Sequence, residues 1–327
     1  MPKGHGRSHT TPRSCGDRHC PDCQGAKARE WLDDQLARLL PCAYFLVTFT
    51  LPPELRELAR ALPRAIYTTL FEAAADALRE LASNPRYVGS DQLGFTGVLH
   101  TWGRDLAYHP HVHFVVPGGA LSADGQEWLP SRADFLVPVH ALSKLFRAKF
   151  RERLEELGLS DRVPAAAWNR PWVVHSAAVG DGRQALRYLA PYVFRVAISP
   201  RRIVRCEPGP DGLGRVTFTY RKSGQSRYRA MTVTADEFLR RFLQHVLPRG
   251  LQKVRHYGFA HPRRRIDHEW LAMLVTVTLH LIYELRVGLT ASRPRPPSPA
   301  CPTCGGPLIC RGLVPAFGAA RRPDDTS

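Results

Sequence analysis

The apolar positions of the chain fall into runs of two different periods, separated by glycine, proline and charged punctuation. Segments 44–51, 93–102 and 108–116 are aromatic and β-branched with a two-residue repeat, which predicts strands. Pro52 and Pro53 close the first strand and open a helix, because a proline is tolerated in a first helical turn. Apolar residues spaced by three and four predict helices over 66–81, 139–157 and 184–193, with a kink or an early end at Pro191 in the last. Segment 172–175 reads as a short strand and 118–125 as a loop. Farther on, 203–206, 216–221 and 228–233 are strand-like, and 234–246 reads as a helix with Thr234 as N-cap and Glu237 completing a capping box. A last strand over 254–259 and a long helix over 266–287 follow, then a proline-rich linker at 293–299 that marks a boundary.

Turn residues Gly103-Arg104-Asp105 join the second and third strands into a hairpin. Alternate side chains of a strand share a face, so His111 and His113 lie together while Val112, Phe114 and Val116 face a packed layer. With the turn centred near Asp105-Leu106, paired residue numbers sum to about 211, which places His100 opposite His111; a one-residue slip would remove it. Two imidazoles are one short of the usual catalytic metal set. His100 is the best third ligand, with Asp105, His109 and a residue from a later helix as rivals. All-imidazole ligation suits several transition metals, whereas an ion acting on phosphate oxygens could equally be Mg or Mn. Tyr188 and Tyr192, four apart on a helix, also share a face. Packing is the commoner reason for such a pair, but beside a dihistidine strand they become candidate nucleophiles, since a phenolate can attack phosphorus.

Composition narrows the partner. The 327 residues are 44% hydrophobic, enough for a core with one or two small attachments, and 46 Lys and Arg against 29 Asp and Glu leave a net charge of +17. A polyanion is the natural partner, nucleic acid first and an anionic membrane surface second. Arginine is far commoner than lysine and suits phosphate forks, which favours nucleic acid. Arg195, Arg201 and Arg202, just after the tyrosines, are candidate phosphate clamps, and Trp102, Trp172 and Phe194 are candidates for base stacking or for core. The longest apolar stretch, 270–283, is too short to span a bilayer and is interrupted by His280, and no secretory signal precedes the first strand, so a cytoplasmic, nucleoid-associated protein is expected. In that compartment the paired C-x2-C spacings among the 8 cysteines read as metal ligands rather than disulfides. Cys15, Cys20 and Cys23, with His19 alongside, form a C-x4-C-x2-C unit for structural zinc. Cys301 and Cys304, with Cys310 beyond, resemble half of a zinc ribbon; Cys42 and Cys206 read as small buried hydrophobes.

Several separated motifs occur in one order: CGDRHCPDCQGAKAREWL, LHTWG, HPHVHFVVPGG, YLAPYVFRVAISPRRI, DEFLRRFLQHVLPRG and VRHYGF. Together they resemble the two-tyrosine HUH transposases of rolling-circle insertion sequences, the IS91 family. The resemblance implies an α+β fold, an antiparallel sheet flanked by helices with an RRM- or ferredoxin-like core, the metal strand central and the tyrosine helix beside it. It implies a single-strand DNA endonuclease and strand transferase acting at element ends, in which His111 and His113 hold a divalent ion and Tyr188 and Tyr192 attack phosphates. Each attack would leave a 5′-phosphotyrosine and a free 3′-hydroxyl. The implied organisation is a zinc-binding segment over 1–40, a catalytic domain over 41–260, a helix over 261–292, a linker over 293–300 and a cysteine knuckle with tail over 301–327; a homo-oligomer is compatible with it. Relatives carry an earlier cysteine pair that is missing here, so the N-terminal finger is either completed by His5, His9 or His19 or cut short by a late start. Pro191 and Phe194 replace polar residues and Pro200 replaces an asparagine; none removes a predicted catalytic atom, but Pro191 could misalign Tyr192 relative to Tyr188. The alternatives are a non-catalytic zinc-containing DNA-binding remnant and a plasmid replication initiator or relaxase.

Overall fold

The structure, a computed structural model, describes residues 24–194, 197–209, 212–221 and 227–280. The chain divides into two units, one formed by its two ends and lying outside the described residues, the other, Cys15–Tyr283, holding every element below. In chain order the elements are α1 Gly25–Ala37, β1 Tyr44–Thr50, α2 Arg56–Ala61, α3 Pro63–Ala82, β2 Phe95–Trp102, β3 Tyr108–Pro117, β4 Gly119–Leu121, β5 Trp128–Pro130, α4 Val139–Glu156, β6 Val174–Ala178, α5 Arg183–Phe194, β7 Ile203–Pro208, β8 Gly214–Arg221, β9 Tyr228–Thr234, α6 Ala235–Leu243, β10 Val254–Tyr257 and α7 His268–Thr278.

Five strands form one sheet in the order β10-β2-β3-β1-β6, antiparallel throughout, so the histidine strand is central as expected. The expected α+β class, an antiparallel sheet flanked by helices, is what forms. Alternation along β3 divides the sheet into two faces. On one, Val112, Phe114 and Val116 join Phe45, Val47, Phe49, Phe95 and Leu99 in the main core, closed by α3 and α4. Helix α3 starts at Pro63, and its alanine-rich sequence lets it approach the sheet closely. Helix α4 presents Leu142, Phe146, Phe150 and Leu154, four apart, to the same core. Between the helices Arg153 bridges Glu72 at 2.9 Å and Asp76 at 2.5 Å, half in solvent, where such pairs add little. The opposite face packs Tyr44, Val98 and Val115 against Ala185, Leu186, Leu189 and Val193 of α5, with Trp31, Leu32 and Leu36 of α1 alongside.

A second sheet, β7-β8-β9, follows α5 and is covered on one side by α6. Thr234 caps α6 by accepting from the Glu237 amide, but Glu237 does not reach back: its carboxylate takes Arg240 at 2.6 Å and Arg241 at 2.7 Å. The capping box is therefore half made.

Other local expectations fail for identifiable reasons. Segment 118–125 holds β4, which pairs with β5. The short strand lies at Val174–Ala178, because Trp172 turns into the core and its indole N–H donates to the Ala167 carbonyl at 2.8 Å. The long C-terminal helix stops at Thr278, and His280 takes a left-handed conformation with φ 53°. Helix α1 starts inside the stretch assigned from its cysteines to a zinc unit. Cys206 is exposed rather than buried, since β7 is an edge strand, while Cys42 is half-buried with its thiol pushed up to about 12 by burial. Among the described residues no helix is long and apolar enough to cross a membrane.

Candidate active site

The β2–β3 hairpin closes through Gly103 donating to the Ala107 carbonyl at 2.7 Å, with Leu106 left-handed at φ 65°. Its register pairs His100 with His111, the partner that the turn position predicts, and Val98 with His113. The ladder shifts between His100 and Trp102, a bulge that ends the regular pairing beside the cluster. His100, His111 and His113 each bring one ring nitrogen into a group whose atoms lie within 4.8 Å of one another. On the far side β1 pairs Thr48 with His113 and Thr50 with His111.

Hydrogen bonds orient the rings. His111 Nδ1–H donates to the His109 carbonyl at 2.7 Å, which leaves its Nε2 as a bare lone pair. His113 Nδ1 meets Thr48 Oγ1 at 2.8 Å. The Nε2 atoms of His100 and His113 are buried and have no hydrogen-bond partner. Orphaned buried imidazole nitrogens are costly unless something outside the protein satisfies them. Burial holds all three rings below their ordinary value, His111 at about 4 and the other two well down, His100 helped by its cluster mates and Lys253. Neutral imidazoles aiming lone pairs into one space are a ligand set for a divalent ion, so these residues fit a metal.

The rival ligands are committed elsewhere. His109 Nδ1 accepts from Arg56 Nη2 at 3.2 Å, and Asp105 Oδ1 accepts from the Ala107 amide at 3.2 Å. His245, just past α6, is fully buried, with Nδ1 at 3.2 Å from Thr101 Oγ1 and Nε2 at 3.2 Å from the Leu106 carbonyl.

Helix α5 lays both tyrosines against the cluster. The Tyr188 ring lies 6.1 Å from that of His113, the Tyr192 ring 5.3 Å from that of His100, and the two phenols are 5.9 Å apart, all edge-on. Pro191 sits in the last turn, the helix continues to Phe194, and the Tyr192 ring still lies against the cluster. Lys253 steadies that end: its Nζ donates to the Tyr192 carbonyl at 2.5 Å and sits 4.7 Å over the Trp102 ring, which stacks on His100 at 4.9 Å. Burial and the neighbouring Tyr192 raise the Tyr188 phenol, and Arg104 opposes them.

Arg202 departs from its expected role as a free phosphate clamp. Its guanidinium binds the carbonyls of Thr219 at 2.8 Å, Ala197 at 3.4 Å and Arg104 at 2.6 Å, tying the second sheet to the hairpin turn. Arg201 is exposed beside it. Trp102 and Trp172 are both buried, so neither offers a face to an unpaired base. Arg195, the zinc candidates Cys15, His19, Cys20 and Cys23, and Cys301 with Cys304 lie outside the described residues. Sequence reasoning missed Thr48 on β1, Lys253 just before β10 and Arg104 in the hairpin turn, none of which lies in a motif of its own.

Two protein families and transposase relatives match the chain. The "Putative transposase" family matches residues 94–267, and the "Transposase zinc-binding domain" family matches residues 3–51. The chain is 42% identical over 271 residues to "Putative transposase y4qJ" of Sinorhizobium fredii, covering 77% of this chain and 67% of that one. It is 29% identical over 262 residues to "Transposase for insertion sequence element IS801" of Pseudomonas savastanoi pv. phaseolicola, covering 75% and 61% respectively. A solved chain, "Conjugative Relaxase Trwc In Complex With Orit DNA. Metal-Bound Structure", aligns with 36% of this chain and 44% of its own at 18% identity and a TM-score of 0.28. The chain belongs to the IS91 family of transposases and carries that family's N-terminal zinc-binding domain.

Proposed function

We propose that this protein nicks and rejoins single-stranded DNA at element ends, with Tyr188 and Tyr192 as nucleophiles and His100, His111 and His113 as ligands of a divalent ion, Mg or Mn. The observation that carries this reading is the packing of two tyrosines, four apart on α5, against one three-histidine cluster. When bound, the ion would polarise the phosphoryl oxygen and stabilise charge developing on it. A phenol oxygen attacks phosphorus, the bond from phosphorus to the 3′-oxygen breaks, and the phenolic proton leaves through solvent while the 3′-oxygen gains one. The 5′-phosphate is then held on tyrosine, and attack by a 3′-hydroxyl reverses the step and rejoins a strand. Two nucleophiles let one tyrosine keep a donor end while the other accepts a second strand. Lys253 and Thr48 position Tyr192 and His113 and touch no substrate. Cys15, Cys20 and Cys23 with His19, and Cys301 with Cys304, are assigned to structural zinc at the two ends of the chain.

The test is covalent trapping. Purified protein is incubated with a single-stranded oligonucleotide carrying the element end and with Mg or Mn, then denatured and separated. Wild type should retain DNA on protein, each single Tyr→Phe variant should retain part, and the Tyr188→Phe, Tyr192→Phe double variant none. An undiminished adduct in the double variant, or none in wild type with any divalent ion, overturns the proposal.

A further inference from the structure

The second sheet has one covered face and one open one. Register settles which residues go where: Phe218 pairs with Met231 and Val216 with Val233, and these turn toward α6, where Phe238 lies 5.8 Å from Phe218. The intervening pairs, Thr217 with Thr232, Thr219 with Ala230 and Arg221 with Tyr228, therefore occupy the outer face. Strand β7 adds Arg205 opposite Thr217. No element covers this face among the described residues, and Tyr228 is 62% exposed there. A sheet face left open in this way normally carries mixed charge. Here the outer cations Arg205, Arg215 and Arg221 meet one acid, Glu207, which Arg205 holds at 2.8 Å.

Two features connect this face to the tyrosines. The covered side is a cluster shared with the site, since Phe218, Ile203, Met231 and Phe242 pack with Trp102, Leu106 and Tyr192. Arg202, stitched to Arg104 of the hairpin turn and to Thr219 two residues before Arg221, ties that end of β8 to the site. The Arg221–Tyr228 end of the sheet is thus its near end, with the Arg221 guanidinium 5.9 Å from the Tyr228 ring.

We propose that the outer face of β7-β8-β9 is a platform for single-stranded DNA that leads to or from the tyrosine site, with Tyr228 stacking a base and Arg221 and Arg205 meeting phosphates. The inference rests on the DNA reading above and adds a surface to it. Charge complementarity names the occupant: a net charge of +17 and an arginine-dominated face call for a polyanion. The flat hydroxyl-lined surface with an exposed ring favours unpaired bases over a duplex, whose bases are closed to stacking. Thr217 and Thr232, whose hydroxyls meet at 2.8 Å, keep one hydroxyl proton between them for a phosphate oxygen.

The experiment measures binding rather than cleavage, so its failure is separable from failure of the nicking proposal. Full-length protein with Tyr188→Phe and Tyr192→Phe is titrated with fluorescent oligothymidylate at several salt concentrations, and with duplex of equal length. Adding Arg205→Ser, Arg221→Ser and Tyr228→Ala should weaken single-strand binding by about tenfold or more. The slope of log affinity against log salt should fall by about 1.4 for the two lost cations. Tyr228→Phe alone should keep affinity, since the ring is retained, and Arg240→Ser on the outer side of α6 should change nothing. An iododeoxyuridine oligonucleotide irradiated with the protein carrying only the two Tyr→Phe changes should cross-link to the peptide containing Tyr228, a readout that no folding defect of a variant can disturb. Unchanged affinity and slope in the triple variant, a loss confined to duplex, or cross-links that avoid β8 and β9 would overturn the proposal.

Discussion

On one face of β3, Phe114 sits at 0% exposure among rings at 4.9 Å from Phe95, 5.5 Å from Phe49, 5.7 Å from Tyr257 and 6.4 Å from Phe71. On the other face, one residue away, His113 is nearly as buried and has a nitrogen with no partner. The first environment satisfies its occupants completely, since dispersion and water exclusion need only matching shapes. The second sets polar atoms that the fold does not satisfy beside an apolar cluster of Val98 and Val115 against α5. Alternation of a single strand divides stability from chemistry at single-residue resolution. Gly97 marks how tight the apolar side is: a Cβ there would meet the Phe114 ring at 2.7 Å.

Exchanging residues between the two faces gives the largest expected effect. Phe114→Ala should cost about 3–5 kcal/mol of stability, from lost transfer energy plus the cavity left behind. His113→Leu should leave the stability of the metal-free protein unchanged or slightly raised, because an unsatisfied buried nitrogen is replaced by apolar volume. Yet it should abolish the rise in melting temperature expected of the wild type with Mn, if the ion binds only the folded form. Urea titration of both variants, with and without Mn, checks the pair. Equal destabilisation by both would mean that the histidine face carries the fold as well.

Acid should separate the faces next. His111 and His245 are held at about 4 by burial, below the ordinary value of 6.5, and His100 and His113 are held well below it for the same reason. A depressed histidine favours the folded state above its unfolded value and loses that contribution as pH falls toward the folded value. Stability should therefore decline between about pH 6.5 and pH 4, with His245 alone contributing about 3 kcal/mol to the decline. Denaturation across that window checks it: His245→Gln should flatten the pH slope, whereas Leu99→Ala on the core face should shift the curve without changing its shape. An unaltered slope in His245→Gln refutes the assignment.

What the sequence made legible follows the distance over which each contact acts. The His100–His111 pairing could be read because the turn between them is a few residues long and its centre sets the register. The tyrosine pair could be read because four residues make one helical turn. Thr48 reaches His113 across 65 positions and Lys253 reaches Tyr192 across 61, and no local pattern encodes either partnership. The Arg202 error has the same origin. An arginine beside a nucleophile reads as a phosphate clamp until the fold brings three carbonyls to it. Helix α1 is hard to read because the stretch before it is cysteine-rich and its apolar positions Trp31, Leu32 and Leu36 cover less than two turns.

The smallest effect should come from Thr48, and it tests how far the histidine face depends on its neighbours. Thr48→Val keeps the β-branched shape that β1 needs and deletes one atom, the hydroxyl that meets His113 Nδ1. Without it the ring loses the bond that sets its tautomer and aims Nε2 into the cluster. Partners of this kind are worth about 10–100-fold in metal affinity. Calorimetric titration with Mn should show a loss in that range, while urea unfolding of the metal-free protein shifts little, and Thr48→Ser should restore affinity because the oxygen returns. Were affinity untouched in Thr48→Val, the orientation of His113 would come from backbone and packing alone. The histidine face would then be as self-sufficient in shape as the apolar face behind it.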